Sequence, residues 1–303
     1  MKKRLSKVSF NDLKWINIDS VDLDTIKKLE KNYNFHHLDL EDCLEENQRS
    51  KIDKYPDYNF IILHLPKFKG RNQKYIASTE LNIFISENAL ITIHDKNSFI
   101  DKIFEDSKKD KGFREEIMCN GAGYLLYYIL NDLFERCFSY VDDITRTLNH
   151  LEKEVFNVSS DRNMLKDILR INKDIINFRR IIFPQRAVLA QLEHIRFSKE
   201  DEDLEIYFDN IVDKIEKIHS TLESFKELVG SLHQTNETMI VQKTNNVIKV
   251  LTIFSVVMLP LTLITGMYGM NVDLPTNNFM DILIIMGIVL SLMLIFFKKK
   301  DWL

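Results

Sequence analysis

Polar and apolar positions alternate differently in successive parts of this chain. Up to about residue 120, runs rich in Ile, Leu and Phe are short and separated by polar turns. "KWINI" reads as a short strand, and "NFIILHLP", "STELNIFIS" and "ALITIHD" read as further strands. The turn "ENA" predicts that the last two pair as a hairpin. Asp22 to Tyr33 carries the charged, periodic pattern of a surface helix. Residues 1–120 are therefore predicted to form an α/β domain around a partly buried sheet.

From Gly121 onward strand signals vanish. "YLLYYILNDLFERCFSYVDDITRTLNHLEKEVF" has apolar residues three or four apart, the spacing of one long helix. The pattern breaks near "NVSSDR", where Ser160 or Asp161 can cap the next helix. That helix is expected to reach about Phe197 with a kink at Pro184, so residues 121–200 read as a helical stem hairpin. A third helix starts near "SKEDEDLE", where acidic residues suit the positive end of the helix dipole. No proline interrupts it before Pro260, and Gly230 is its weak point. Continued from Glu202 to Met267 it spans roughly 100 Å, so residues 201–267 read as a stalk.

The end of the chain changes character. Val250 to Val272 is a run of 23 residues without charge, and Ile282 to Phe297 is another of 16. About 20 apolar residues cross a bilayer as a helix. Two spans are predicted, at about 247–267 and 280–297, joined by a loop over 268–279 and followed by a basic tail, 298–303. Lys243 and Lys249 precede the first span and Lys298, Lys299 and Lys300 follow the second, whereas Tyr268 to Asp281 holds no Lys or Arg. The bias of basic residues places both termini in the cytoplasm and the loop outside. The basic N-terminus, "MKKRLSKVSFNDLKW", is followed by no apolar run, so no cleavable signal peptide is expected.

Composition narrows the function. A net charge of −4 supplies no basic face for a nucleic acid. Cys43, Cys119 and Cys137 lack paired spacing and read as reduced structural thiols rather than a disulfide framework or zinc site. His36 and His37 read as structural. No catalytic set and no organic cofactor motif emerges, so an enzyme is not expected.

The first span carries the most informative pattern. Asn245, Ile248, Thr252, Ser255, Leu259, Thr262 and Gly266 follow each other at alternating steps of three and four. They share one helix face, smaller and more polar than the faces carrying Val250, Ile253, Phe254, Val257 and Leu261. Lipid offers no hydrogen bonds to an amide or hydroxyl, so the stripe faces protein or water. Helix packing is one reading, because small and hydroxyl residues line such contacts. A membrane-anchored coiled-coil scaffold that transports nothing is a further reading of the long helices. A pore is the other reading, and it requires a ring of subunits, since two spans enclose nothing.

The residues that follow, "YGMN" at the outer end of the first of two C-terminal spans, together with a terminal "KKKDWL", resemble the CorA family of magnesium transporters. "TNNVIKVLTIFSVVMLPLTLITGMYGMN", "LDLEDCLEENQRSKIDKYPDYNFIILH" and "FRRIIFPQRAVL" extend the resemblance over nearly the whole chain. The resemblance implies a funnel-shaped homopentamer, its cytoplasmic α/β domain joined by the stalk to a pore lined by five first spans. It implies that Gly269, Met270 and Asn271 form the filter, with Asn271 amides and carbonyls near Gly269 meeting the water shell of Mg²⁺. Asn245 matches an inner pore asparagine, Ile248 and Leu251 a hydrophobic constriction, Leu259 another narrow level and Thr262 a polar level. Lys298, Lys299 and Lys300 match a basic collar. Asp42, with Glu41 beside it, matches an acid of a regulatory Mg²⁺ site between subunits, whose partner lies near the start of the stalk. There Asn210 stands in the expected acid's place, with Asp209 and Asp213 nearby. Co²⁺, Ni²⁺ or Zn²⁺ remain alternative cargoes, with Met270 at the middle of the tripeptide favouring Mg²⁺.

Overall fold

The computed structural model describes residues 5–45, 48–67, 76–94, 99–155, 163–195, 197, 204–270, 278–300 and 302. The chain divides into two units, Met1–Leu232 and His233–Leu303.

The first unit is built on a six-stranded sheet in the order β1-β2-β6-β5-β4-β3. β1 (Leu5–Phe10) and β2 (Leu13–Ile18) pair antiparallel. Their two-residue turn places Asn11 at φ 47°, a left-handed conformation that asparagine tolerates better than most side chains. β3 (Lys51–Lys54), β4 (Asn59–Lys67), β5 (Ala77–Ser86) and β6 (Ala89–His94) run antiparallel to their neighbours, whereas β2 and β6 are parallel. The predicted hairpin is β5–β6, closed through Glu87 and Asn88.

Alternate residues of these strands feed two cores, as a period of two demands. Trp15, Ile61, Leu63, Ile83 and Leu90 face the larger core, and Ile16, Ile18, Phe60, Ile62, Phe84 and Ile93 face the smaller one. The smaller core is roofed by α1 (Leu23–Asn32) and α2 (His37–Asp42). Asp22 caps α1, its carboxylate accepting from the Thr25 amide at 2.9 Å. The larger core is closed by α3 (Phe99–Lys109), α4 (Lys111–Met118) and the long α5 (Gly121–Val155). A buried polar chain fixes part of this register. Trp15 Nε1 donates to Thr92 Oγ1, whose hydroxyl donates to Asn17 Oδ1, while Asn17 Nδ2 donates to Asp101 on α3.

The second stem helix differs from expectation. Instead of a kinked helix there are two, α6 (Asn163–Ile182) and α7 (Gln185–Leu192), separated by a turn at Phe183 and Pro184. Pro184 has no amide hydrogen to continue the ladder, and the chain starts a fresh helix instead. Gln185 then becomes a buried tie. Its amide nitrogen donates to Ser50 Oγ and the Ile181 carbonyl, and its oxygen accepts from the His64 amide. The stem is thereby bonded to β4 and to the residue preceding β3. β1, β3, α3 and α4 are additional to the expected elements.

α8 (Leu204–Tyr268) is a single helix of 65 residues that passes Gly230 and Pro260 without a break. Its first turn docks on α5 where Gly123 leaves space. A Cβ at Gly123 would collide with Leu204 Cδ1 and lie 2.9 Å from Phe197 Cδ2. Gly123→Ala is accordingly expected to destabilise the fold by about 1–3 kcal/mol. Gly230→Ala, where an added Cβ meets open space, should instead be neutral or stabilising by up to about 1 kcal/mol. Urea denaturation of the two variants checks the contrast, and equal midpoints would contradict it.

Candidate functional site

The second unit comprises the remainder of α8 and α9 (Phe279–Lys299). Both helices are long and apolar enough to cross a membrane, and no residue in their most apolar windows is buried. A core helix of a soluble protein would hide that surface. Partly hidden surface is concentrated on one face of each helix. On α8 that face carries Ile253, Val257, Pro260, Leu261, Ile264 and Tyr268, with Thr252 half-buried outside it; on α9 it carries Ile282, Met286, Val289, Leu290, Met293 and Phe297, with Asp281 half-buried outside it. At 100° per residue, the stripe from Asn245 to Gly266 lies nearly opposite the covered stripe of α8. Ile248 and Leu259 on it, and Leu251 beside it, are all exposed. Apart from the half-buried Thr252, the polar stripe is therefore not what the hairpin packs within itself.

The hydroxyls of this stripe have a defined chemistry. Thr252 donates to the Ile248 carbonyl at 2.8 Å, Ser255 to Leu251 at 2.9 Å and Thr262 to Met258 at 2.8 Å. With their protons spent on their own helix, these oxygens present lone pairs outward. Such a surface accepts hydrogen bonds, and the water shell of a cation is made of donors. A groove of about 620 Å³ runs along this face from Ser255 past Thr262 and Gly266 to Met270.

α8 ends at Tyr268. The Gly269 amide donates to the Thr265 carbonyl at 3.0 Å and the Met270 amide to Met267 at 3.2 Å. Gly269 does not take the left-handed backbone of a glycine cap. A Cβ there would lie 3.1 Å from the Thr265 carbonyl oxygen, a tight contact that a small shift of that carbonyl would have to relieve. Met270 is exposed. Asn271, the expected filter amide, lies outside the described residues. At the other end Lys298 and Lys299 complete the last turn of α9, where cations suit the dipole, and Lys300 caps it. The Trp302 ring stacks on Phe297 with centroids 5.8 Å apart, so it packs as well as remaining partly exposed.

The expected regulatory acids are not gathered as a set within one chain. Glu41 is exposed on α2, and Asp209 and Asp213 are exposed on α8. Asp42 belongs to a different group, with Asp39 and Asp53, whose carboxylate oxygens all lie within 4.8 Å of one another. Lys51 Nζ sits 2.7 Å from Asp42 and 2.6 Å from Asp53. Asp39 is buried and accepts from the hydroxyls of Tyr58 at 2.8 Å and Tyr55 at 3.1 Å. Burial pushes the Asp39 carboxyl above the ordinary aspartate value, although the two tyrosine hydrogen bonds pull the other way. The sequence reading missed Asp39, Lys51, Asp53, Tyr55 and Tyr58. Two short-range signals were present, the i,i+3 pair Asp39/Asp42 and the alternation "KID" that puts Lys51 and Asp53 on one strand face.

All three cysteines are free, with Cys43 and Cys137 buried and Cys119 exposed. His36 and His37 are exposed, and His36 Nδ1 accepts from the Leu38 amide to cap α2.

An α/β domain is thus followed by two C-terminal helices long and apolar enough to cross a membrane, the first of them carrying a polar stripe. Comparison with known proteins is specific. The family model described as CorA-like Mg²⁺ transporter protein matches residues 10–299. The cobalt/magnesium transport protein CorA of Thermotoga maritima is 28% identical over 296 residues, covering 95% of this chain and 83% of that protein. The protein of the same name from Methanocaldococcus jannaschii is 28% identical over 319 residues, covering 100% and 96%. The complete structure of the CorA magnesium transporter from Methanocaldococcus jannaschii superposes with a TM-score of 0.81 at 23% identity, covering 99% of this chain and 95% of that one. The chain belongs to the CorA-like Mg²⁺ transporter family. It is a divalent cation transporter.

The Asp39 environment has a sign that can be checked. Its folded value lies above its unfolded value, so its stabilisation is complete below about pH 4 and fades as pH rises through the raised value. Asp39→Asn lacks this titration. The stability of wild type relative to Asp39→Asn is expected to fall as pH rises, read from chemical denaturation at each pH. A difference that grows with pH would contradict the assignment.

Proposed function

We propose that the chain is a channel-like pathway for passive influx of hydrated Mg²⁺, formed by a homopentamer and gated by cytoplasmic Mg²⁺. The observation that carries this reading is the stripe from Asn245 to Gly266, polar and turned away from the covered face of its own hairpin. Five such stripes close a lumen that no single chain can enclose.

Mg²⁺ demands octahedral oxygen coordination and gives up water reluctantly, so a site for the hydrated ion avoids the cost of stripping it. In this reading Asn271 amide oxygens and carbonyls near Gly269 accept from those waters at the outer mouth. Met270 packs, since a soft thioether suits a hard cation poorly. Thr262, Ser255 and Thr252 continue the acceptor surface inward, with Gly266 leaving room for the shell. Leu259, Leu251 and Ile248 are the narrow levels, where an apolar constriction gates by dewetting. Asn245 and the collar of Lys298, Lys299 and Lys300 stand at the cytoplasmic mouth, and both termini are cytoplasmic. Metal bridging subunits through Glu41 and Asp42, with Asp209 or Asp213 opposite, holds the ring closed. Its loss lets the stalks splay. A ligand drives such a shift only through different affinity for the two states.

Co²⁺ is the second reading, favoured by the Thermotoga maritima relative, whose name pairs cobalt with magnesium. Flux into proteoliposomes across a panel of Mg²⁺, Co²⁺, Ni²⁺ and Zn²⁺ ranks the cargoes. In the same assay Asn271→Ala is expected to reduce Mg²⁺ flux to the protein-free background while the oligomer stays intact on size exclusion. Wild-type flux from an intact Asn271→Ala oligomer would overturn the filter.

A further inference from the structure

Lys51 and the three carboxylates around it form a charge arrangement that the transport reading does not use. Lys51 opens β3, and Asp53 follows two residues later on the same face. Asp42 closes α2. The Lys51 ammonium bonds both acids, and its nitrogen lies 5.6 Å from the centroid of the Phe60 ring. Asp53 and Phe60 are direct partners across the β3–β4 ladder, so the strand register itself delivers the ammonium to the acids. Partial burial pulls the ammonium down, but the hydrogen bonds to Asp42 and Asp53 and their charge outweigh it and raise Lys51 above an ordinary lysine. The cluster already contains a bound cation, supplied by the chain.

We propose that Lys51 is a tethered counter-ion that competes with divalent metal for Asp42 and so raises the metal concentration at which Asp42 responds. This rests on the reading of Asp42 as a regulatory acid. A divalent ion approaching Asp42 must displace Lys51 or sit beside its positive charge. A tethered group acts at a high and constant effective concentration, whereas free metal does not. The apparent affinity for metal falls by the fraction of time that Lys51 holds the acid. Asp39 remains apart from this exchange, satisfied by Tyr55 and Tyr58.

The test uses the full chain in detergent with Mn²⁺ as the probe, titrated by electron paramagnetic resonance without any ion gradient. Lys51→Gln is expected to bind Mn²⁺ about tenfold more tightly than wild type, because a positive charge beside the acid is gone. Lys51→Arg should titrate like wild type. Lys51→Met, which keeps an unbranched aliphatic side chain at this position, should reproduce Lys51→Gln and guards against a folding defect. Adding Asp42→Asn to Lys51→Gln should abolish the gain. Identical Mn²⁺ titrations for wild type, Lys51→Gln and Lys51→Met would overturn the proposal, as would a gain that survives Asp42→Asn. Mn²⁺ binding is read independently of flux. If Lys51→Gln gains binding while the wild-type protein moves no Mg²⁺ at low internal Mg²⁺, the Mg²⁺-influx reading falls and Lys51 as competitor stands.

Discussion

A bilayer leaves no backbone amide or carbonyl an external partner, and much of this chain's second unit follows from that constraint. Both apolar segments are helices because a helix satisfies its own ladder. Thr252, Ser255 and Thr262 each turn the hydroxyl proton to the carbonyl four residues earlier, as helical hydroxyls elsewhere in the chain do. What is left outward is an array of acceptors along one face. Pro260 lacks an amide hydrogen, yet α8 runs through it to Tyr268, so the helix tolerates one missing bond in preference to a break.

The soluble unit solves a different problem. Its sheet is covered on both faces, so its central strands read as nearly continuous apolar runs and were legible as such in "NFIILHLP" and "STELNIFIS". β1 and β3 were not legible, because edge strands carry Lys and Ser and show little apolar signal. The break at Pro184 was visible as a residue but not as two helices. What decides between a kink and a restart is Gln185, whose partners on Ser50 and His64 are more than a hundred residues away. Periodicity sees neighbours three and four apart and has no access to such contacts.

The site shows the same division. The polar stripe and the Gly-Met-Asn run are local patterns, and both were read directly. That the stripe faces away from the hairpin's own packing is tertiary information, carried by the half-buried residues from Ile253 to Tyr268. The acidic group at Asp42 was half legible. Asp42 itself was singled out, but its counter-ion lies on another element and emerges only when β3 pairs with β4. Charge near Asp42 is thus set by strand register rather than by sequence neighbours. A residue chosen by motif alone can arrive with its partner already in place.

The central claim is that the stripe on α8 lines water. Cysteine accessibility in a background lacking Cys43, Cys119 and Cys137 tests it most directly. A membrane-impermeant, water-soluble thiosulfonate cation applied to the assembled protein in liposomes should modify Ser255→Cys and Thr262→Cys and block ion flux through them. It should leave Phe254→Cys, on an apolar face of the same helix away from the stripe, unreacted. Reaction at Phe254→Cys with none at Ser255→Cys and Thr262→Cys would place the polar stripe in protein packing and contradict the account.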